Sequence, residues 1–119
     1  MKKTLVVGAS AKPDRYANRA ANLLLSHGHP VVLFGKEKGN IQGVEILQNF
    51  PSDTDIDTVT LYLNPFNQAS VEEKILALKP KRILFNPGTE NEQLMQKAKE
   101  IGIEVEAVCT LVLLMSNQF

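Results

Sequence analysis

Short apolar runs alternate along the chain with longer amphipathic segments. The apolar runs predict four strands, over residues 4–8, 30–34, 58–63 and 82–85, and the alternating pattern of residues 103–108 predicts a fifth. The first run places Leu5, Val6 and Val7 in succession, which is typical of a strand buried on both faces of a parallel sheet. The amphipathic segments predict helices over residues 15–27, 68–79 and 89–101, and the apolar tail from residue 110 predicts a short helix or turn.

This order of elements predicts a Rossmann-like α/β fold, in which a doubly wound parallel sheet of about five strands lies between two layers of helices. The length of 119 residues suits one domain, which we expect to span residues 1–119. Residues 35–51 are expected to be irregular, with room for one short strand or turn over residues 44–47. Two S/T-x-x-E patterns predict capping boxes for the second and third helices, Ser70 with Glu73 and Thr89 with Glu92.

A doubly wound sheet binds its ligand at the carboxyl ends of the strands, so the residues that follow each strand are the candidates for function. The turn after the first predicted strand combines small residues with two cations: Gly8, Ala9, Ser10, Lys12 and Arg15. Pro13 is expected in the first turn of the next helix, whose backbone amides would then face an anion. The turn therefore predicts a phosphate site, although a strand–turn–helix junction without a ligand is the simpler alternative.

Two differences from the sequence pattern of dinucleotide-binding proteins reduce the number of candidate ligands for this turn. Only Gly8 of the G-x-G-x-x-G pattern is present, and the second strand is followed by Lys36 where an NAD-binding protein has an acidic residue. A cation at that place favours a ribose that carries a phosphate, as in NADP or coenzyme A. If the strand were two residues longer, Glu37 would be the acidic residue that binds the ribose hydroxyls of NAD. The simpler interpretation of Lys36 and Lys38 is a pair of solvated lysines on a turn.

Composition and charge exclude several other classes. The 13 basic and 13 acidic residues cancel, which argues against general binding of nucleic acid. A single cysteine precludes an internal disulfide and suits a reducing compartment, so we expect a cytoplasmic protein. The apolar run at residues 111–115 is far too short to cross a membrane.

No set of residues in the sequence predicts catalysis. His27 and His29 flank Gly28 at the end of the first helix, at the edge of the sheet opposite the expected ligand. Ser10 has no histidine placed to act as its base, and two histidines without a third ligand do not make a zinc site. We therefore expect a protein that is not an enzyme and binds no metal.

The whole chain resembles a family of small stand-alone coenzyme A-binding proteins, which are similar to the nucleotide-binding domain of the succinate–CoA ligase alpha subunit. The residues that carry the resemblance are Val7 to Ser10 with Pro13 and Arg15, then Ile41 to Val44, Asp57, Asn86 to Glu90 and residues 102–109. The family's Pro-Asn-Pro-like segment after the second strand is replaced here by Phe34, Gly35 and Lys36. The ligase's second domain, with its phosphorylated histidine, has no counterpart here, so its reaction is not carried over.

The resemblance implies a Rossmann-type fold that binds coenzyme A or an acyl-CoA. It implies that the first turn holds phosphates, that Lys36 lies near the ribose phosphate or the pyrophosphate, and that the pantetheine chain passes the later strand ends. The residues expected along that path are Asn64, Pro65, Asn86, Pro87 and Gly88. Cys109 closes the last predicted strand, where it would form a mixed disulfide with the coenzyme A thiol or else pack as a small apolar residue.

Three functions remain open on the sequence. The first is binding of coenzyme A or an acyl-CoA without catalysis. The second is an NADP-dependent oxidoreductase, which shares the phosphate site. The third is a vestigial fold that acts through protein contacts, with the apolar run at residues 111–115 as the surface of a homodimer, although core packing explains that run equally well.

Overall fold

Seven strands and five helices make up the computed structural model, which describes residues 1–119. The strands are β1 (Thr4–Val7), β2 (Val31–Phe34), β3 (Asn40–Ile41), β4 (Val44–Leu47), β5 (Thr58–Leu61), β6 (Arg82–Phe85) and β7 (Glu104–Ala107). The helices are α1 (Tyr16–Ser26), α2 (Pro65–Gln68), α3 (Glu72–Leu78), α4 (Glu92–Glu100) and α5 (Thr110–Met115). None of these helices is both long and apolar enough to cross a membrane.

The strands form one sheet in the order β3-β4-β2-β1-β5-β6-β7, and every neighbouring pair is parallel except β3 with β4. Without the short β3, the parallel strands follow the doubly wound order 3-2-1-4-5-6. The predicted Rossmann-like α/β fold is therefore confirmed. The sheet has two strands more than expected because residues 40–47 form a small hairpin at its edge.

Alternate residues of the strands face two different layers of helices, as the period of two requires. On one face, Leu5 and Val7 belong to a buried cluster with Ile75 of α3 and Leu94 of α4. On the other face, Val6 packs in a second cluster whose helical members come from α1 and α5: Ala17, Ala21, Leu24 and Leu114. The result is the expected three-layer arrangement, with its core on both sides of β1.

The second predicted helix is divided into α2 and α3, and its predicted capping box is wrong. Asn64 caps α2 by accepting a hydrogen bond from the backbone N–H of Asn67 at 2.9 Å, and Pro65 occupies the first turn. Both residues favour a helix start directly after β5, earlier than the apolar spacing suggested. Val71 then leaves the helical region (φ −120°, ψ −2°) and precedes α3, so Ser70 does not cap.

The predicted starts of the other two helices also shift. Asn91 caps α4 by accepting from the N–H of Leu94 at 3.1 Å, whereas the Thr89 hydroxyl donates to the carbonyl oxygen of Asn86 at 2.8 Å. The Thr89 box is therefore wrong, because that hydroxyl is used inside the turn after β6. Arg15, in an extended conformation, is the N-cap of α1, so Pro13 precedes the helix instead of opening its first turn.

Candidate functional site

A large cleft lies where the order of the strands in the sheet reverses. From β1 the chain builds outward to β2 and β4 on one side and then returns to β5 on the other, so the connections after β1 and β5 diverge. A cleft of about 740 Å³ opens at this point, across the carboxyl ends of β2, β1, β5 and β6. It contains nine of the residues predicted for the site: Gly8, Ala9, Ser10, Lys12, Arg15, Lys36, Asn64, Pro87 and Gly88.

A second depression, of about 510 Å³, lies elsewhere on the molecule. It is formed by residues 50–54, which precede β5, and by residues of α3 up to Lys79. In a doubly wound sheet, ligands bind outside the carboxyl ends of the strands, and this depression lies on the amino side of β5. The larger cleft is therefore the candidate site.

Gly8 allows the turn after β1 to pass against the end of β5. Its φ is +96°, and a Cβ at this position would come within 3.0 Å of the backbone carbonyl atoms of Tyr62. The carbonyl oxygen of Phe34 accepts hydrogen bonds from the N–H groups of both Gly8 and Ala9 at 2.9 Å. The turn is completed by Ser10, whose hydroxyl oxygen accepts from the N–H of Lys12 at 3.1 Å.

A buried amide side chain of α1 is hydrogen-bonded to the backbone of the turn after β1. Asn18 is 7% exposed, and its Nδ2 donates to the carbonyl oxygen of Ser10 at 3.0 Å. The Oδ1 of Asn18 in turn accepts from Asn22 at 2.8 Å, and Asn22 accepts from Gln42 at 2.7 Å. This chain of amides is not apparent from the sequence, since Asn18 and Asn22 resemble ordinary polar positions on an amphipathic helix.

Positive charge is concentrated in the half of the cleft formed after β1 and β2. Lys12, Arg15 and Lys36 are exposed there, and none of them makes an ion pair with a protein carboxylate. Glu37 is the one acidic residue in the cleft. Cations that are left without protein partners in a concave site attract an anionic ligand.

No charged side chain lines the half of the cleft formed after β5 and β6, although the Glu90 carboxylate accepts a hydrogen bond from the backbone N–H of Gly88 at 2.8 Å. Its lining is neutral and mostly small or polar: Tyr62, Leu63, Asn64, Asn67, Ser70, Pro87, Gly88 and Thr89. Burial raises the pKa of Tyr62 to about 12, and the nearby hydroxyls of Thr110 and Thr60 offset part of that rise. The Tyr62 hydroxyl is buried without a partner at hydrogen-bonding distance, so this phenol is neutral at physiological pH. We refer below to the charged half and the neutral half of the cleft.

The two walls of the neutral half are joined by Gln68, which is completely buried. Its Nε2 donates to the carbonyl oxygen of Leu63, after β5, at 2.8 Å and to that of Thr89, after β6, at 2.7 Å. Its Oε1 accepts from Asn91 at 2.9 Å. This role is not apparent from the sequence, because Gln68 resembles a solvent-facing helical residue.

Three residues predicted for the site do not line the cleft. Pro65 begins α2, and Cys109 is the half-buried N-cap of α5. Asn86 is 3% exposed and points into the protein, where it donates to Thr60 Oγ1 at 2.7 Å and accepts from the N–H of Thr110 at 2.8 Å. Asn86 therefore connects β5, β6 and α5 and acts on the cleft only through the turn that follows it.

The histidines lie at the opposite end of the sheet. His29 precedes β2, and its Nδ1 accepts a hydrogen bond from the backbone N–H of Lys2 at 3.1 Å. Its ring lies 4.9 Å from that of Phe119. The structure contains no cluster of three or more histidine, cysteine or acidic side chains that could hold a metal ion.

Comparison with known proteins gives the family. The sequence model of a protein family described as "CoA binding domain" matches residues 2–115. This chain belongs to the CoA-binding domain family. A crystal structure of an uncharacterized protein is similar to this member at 50% identity with a TM-score of 0.96, and the match covers 100% of this chain and 98% of the other.

More distant structures share the fold of this CoA-binding domain. A hypothetical protein from Pyrococcus horikoshii OT3 is 28% identical with a TM-score of 0.82, over 98% of this chain and 82% of the other. A protein from Thermus thermophilus is 22% identical with a TM-score of 0.84, over 99% and 90%. At that identity the similarity supports the fold alone.

Proposed function

We propose that this CoA-binding domain binds coenzyme A or an acyl-CoA in the cleft between β1 and β5, and that it does so without catalysing a reaction. The observation that carries the proposal is the unequal division of charge in the cleft. All three cations line one half, and no charged side chain lines the other. A ligand that suits both halves has an anionic end and a long neutral end.

Coenzyme A has this distribution of charge. Its nucleotide end carries a pyrophosphate and a 3′-phosphate, which suit Lys12, Arg15 and Lys36. Its pantetheine chain is uncharged and carries two amide groups, which suit amide and hydroxyl side chains such as those of Asn64, Asn67 and Ser70. The family to which the chain belongs supports the same class of ligand.

We propose binding without catalysis because the Ser10 hydroxyl, the nucleophile in the phosphate turn, has no base as a hydrogen-bond partner. The Ser10 hydroxyl oxygen accepts from the N–H of Lys12 and makes no hydrogen bond to a histidine or to Glu37, the one carboxylate that lines the cleft. Nucleophilic catalysis needs a base within hydrogen-bonding distance of the hydroxyl. Both histidines lie at the far end of the sheet, next to the start of β2.

NADP is a second candidate, because Lys36 follows β2 and the parallel strands have the order found in dinucleotide-binding domains. Beyond the pyrophosphate that both ligands share, NADP carries a nicotinamide riboside, whose oxidised ring is cationic, and no acidic side chain lines the neutral half. We therefore rank NADP below coenzyme A.

Thermal unfolding with a series of ligands tests these assignments. A ligand that binds only the native protein raises the unfolding temperature by mass action. We expect stabilisation by coenzyme A and acetyl-CoA, a smaller effect of dephospho-CoA, and little effect of NAD. Stabilisation by NADP and not by coenzyme A would contradict the proposal. No stabilisation by any of them would favour a protein-binding role, for which Val112 and Met115 of α5 are exposed.

A further inference from the structure

Each half of the cleft is held by one buried amide side chain that does not itself line the cleft. Asn18 holds the carbonyl oxygen of Ser10 in the charged half. Gln68 holds the carbonyl oxygens of Leu63 and Thr89 in the neutral half. The two amides lie on different helices, α1 and α2, and share no hydrogen-bond partner.

Gln68 is well suited to fix the distance between the two walls of the neutral half. A glutamine amide nitrogen carries two hydrogens, so it can donate to two carbonyls at once. Leu63 O and Thr89 O accept no other hydrogen bond from the protein. The four-residue helix α2 is too short to be stable by itself, so its position depends on contacts such as these.

The position of Gln68 is fixed from the other side by α4. Its Oε1 accepts from Asn91 Nδ2, and the Oδ1 of the same Asn91 caps α4 through the N–H of Leu94. The amide is thereby oriented with its nitrogen toward the two carbonyls. The wall after β5 and the wall after β6 are consequently held at a set separation through a single side chain.

We propose that Gln68 is a positioning residue for the neutral chain of the ligand, while Asn18 positions the turn that meets its phosphates. This inference rests on the proposed function, because it assigns the neutral half to the pantetheine chain. Gln68 acts through Leu63 and Thr89, which line the cleft, and makes no contact with the ligand itself. Its loss should weaken the binding of the chain and leave the binding of the anionic end nearly as it was.

Isothermal titration calorimetry with two ligands separates these contributions. One ligand is coenzyme A, and the other is adenosine 3′-phosphate 5′-diphosphate, which is its anionic end without the pantetheine chain. In Gln68→Met, which removes the amide at similar size, we expect the preference for coenzyme A over the shorter ligand to fall about tenfold. In the matched variant Asn18→Leu, both affinities should fall by a similar factor, so that the preference is retained.

The outcomes distinguish this inference from the proposed function and from a merely structural role. If Gln68→Met leaves the preference for coenzyme A over the shorter ligand unchanged, whether or not both affinities fall, the inference about Gln68 is wrong and the proposed function still stands. Failure of the wild-type protein to bind either ligand contradicts the proposed function and the inference with it. Gln68→Asn keeps the amide but is one methylene too short to join both walls, and it serves the same comparison if Gln68→Met does not fold. Circular dichroism checks the folding of every variant.

Discussion

At the amino ends of the strands the cationic side chains are bound by protein groups, whereas at the carboxyl ends they are not. Lys3 contacts Asp53 and Asp55 at 2.9 Å, and these hydrogen bonds raise the pKa of Lys3 and lower that of Asp55. The guanidinium of Arg82 donates to Thr58 Oγ1 at 2.8 Å and lies 4.4 Å from the centre of the Phe119 ring.

The carboxyl ends differ because their cations, in the charged half of the cleft, have no protein carboxylate as partner. The comparison indicates that charge at the amino ends contributes to the fold, and that charge at the carboxyl ends is available to a ligand. Variants at the two ends should therefore separate stability from binding, apart from positions where the backbone of the cleft is itself tightly packed.

Gly35 is such a position, and its substitution should have the largest effect on stability. A Cβ on Gly35 would overlap the carbonyl oxygen of Ala9, a backbone atom that cannot move without shifting the phosphate turn. We expect Gly35→Ala to lower the free energy of unfolding by about 2–4 kcal/mol in urea titrations. Gly43→Ala is the control, since it has a φ of +84° and open space around it, and should cost about 1 kcal/mol. Equal losses in both variants would show that the turn can yield.

Removing two cations from the charged half should have the next largest effect, on binding alone. We expect Lys12→Gln/Arg15→Gln to weaken coenzyme A about 30-fold to 100-fold, with an unfolding temperature close to that of the wild type. The double variant Lys97→Gln/Lys99→Gln removes the same charge from α4 and should change the affinity less than about twofold. A comparable loss in that control would mean that net charge alone governs binding.

Lys36 should have a smaller and more selective effect. If it contacts the ribose phosphate, Lys36→Gln should reduce the preference for coenzyme A over dephospho-CoA by about fivefold. Calorimetric titration with both ligands measures this preference. An unchanged preference would assign Lys36 to the pyrophosphate or to solvent.

The smallest expected effect is on the pH dependence of stability, through His29 at the amino ends of the strands. Burial, followed by the positive charges of the amino terminus, His27, Lys2 and Arg82, lowers the pKa of His29 below its usual 6.5. The unfolded chain therefore binds a proton more readily, and stability is complete above pH 6.5 and falls as the pH drops toward the lowered pKa.

Between pH 7.5 and pH 5.5, the unfolding temperature of the wild type should fall about 1–2 °C more than that of His29→Gln. His27→Gln is the matched control and should retain most of the wild-type fall, because burial is the largest cause of the lowered pKa of His29. Scanning calorimetry at the two pH values measures the difference. A wild type that follows His29→Gln would show that protonation of His29 does not oppose folding.

The fold was predictable because the central parallel strands are mostly apolar, β7 alternates, and the longer helices are amphipathic. The hairpin of β3 and β4 was harder to predict, because the two-residue strand of Asn40 and Ile41 is too short to show an alternating pattern. The starts of helices were least predictable. Thr89 and Asn91 are both good caps by residue type, and only the packing of the turn after β6 decides between them.

Prediction of the site followed the same division as the cleft. The charged half was visible in the sequence, because Lys12, Arg15 and Lys36 lie in the segments that follow two adjacent parallel strands. The neutral half was predicted only in part, since Asn67 and Ser70 are typical of any helix start. Asn86 shows the converse error, because a strand-end asparagine that is aimed at buried groups has the same sequence signature as one aimed at a ligand.

The central position of β1 has a consequence for how the protein folds. This strand is hydrogen-bonded on one side to β2 and on the other to β5, which lies far along the chain. Pairing of such distant segments requires closing a long loop, which slows folding relative to local structure. During synthesis β1 can pair with β2 early, but its second edge remains unpaired until residues 58–61 have emerged, and Leu5 and Val7 are covered by α3 and α4 only after that. That interval is when the nascent chain is most exposed to aggregation and to chaperones.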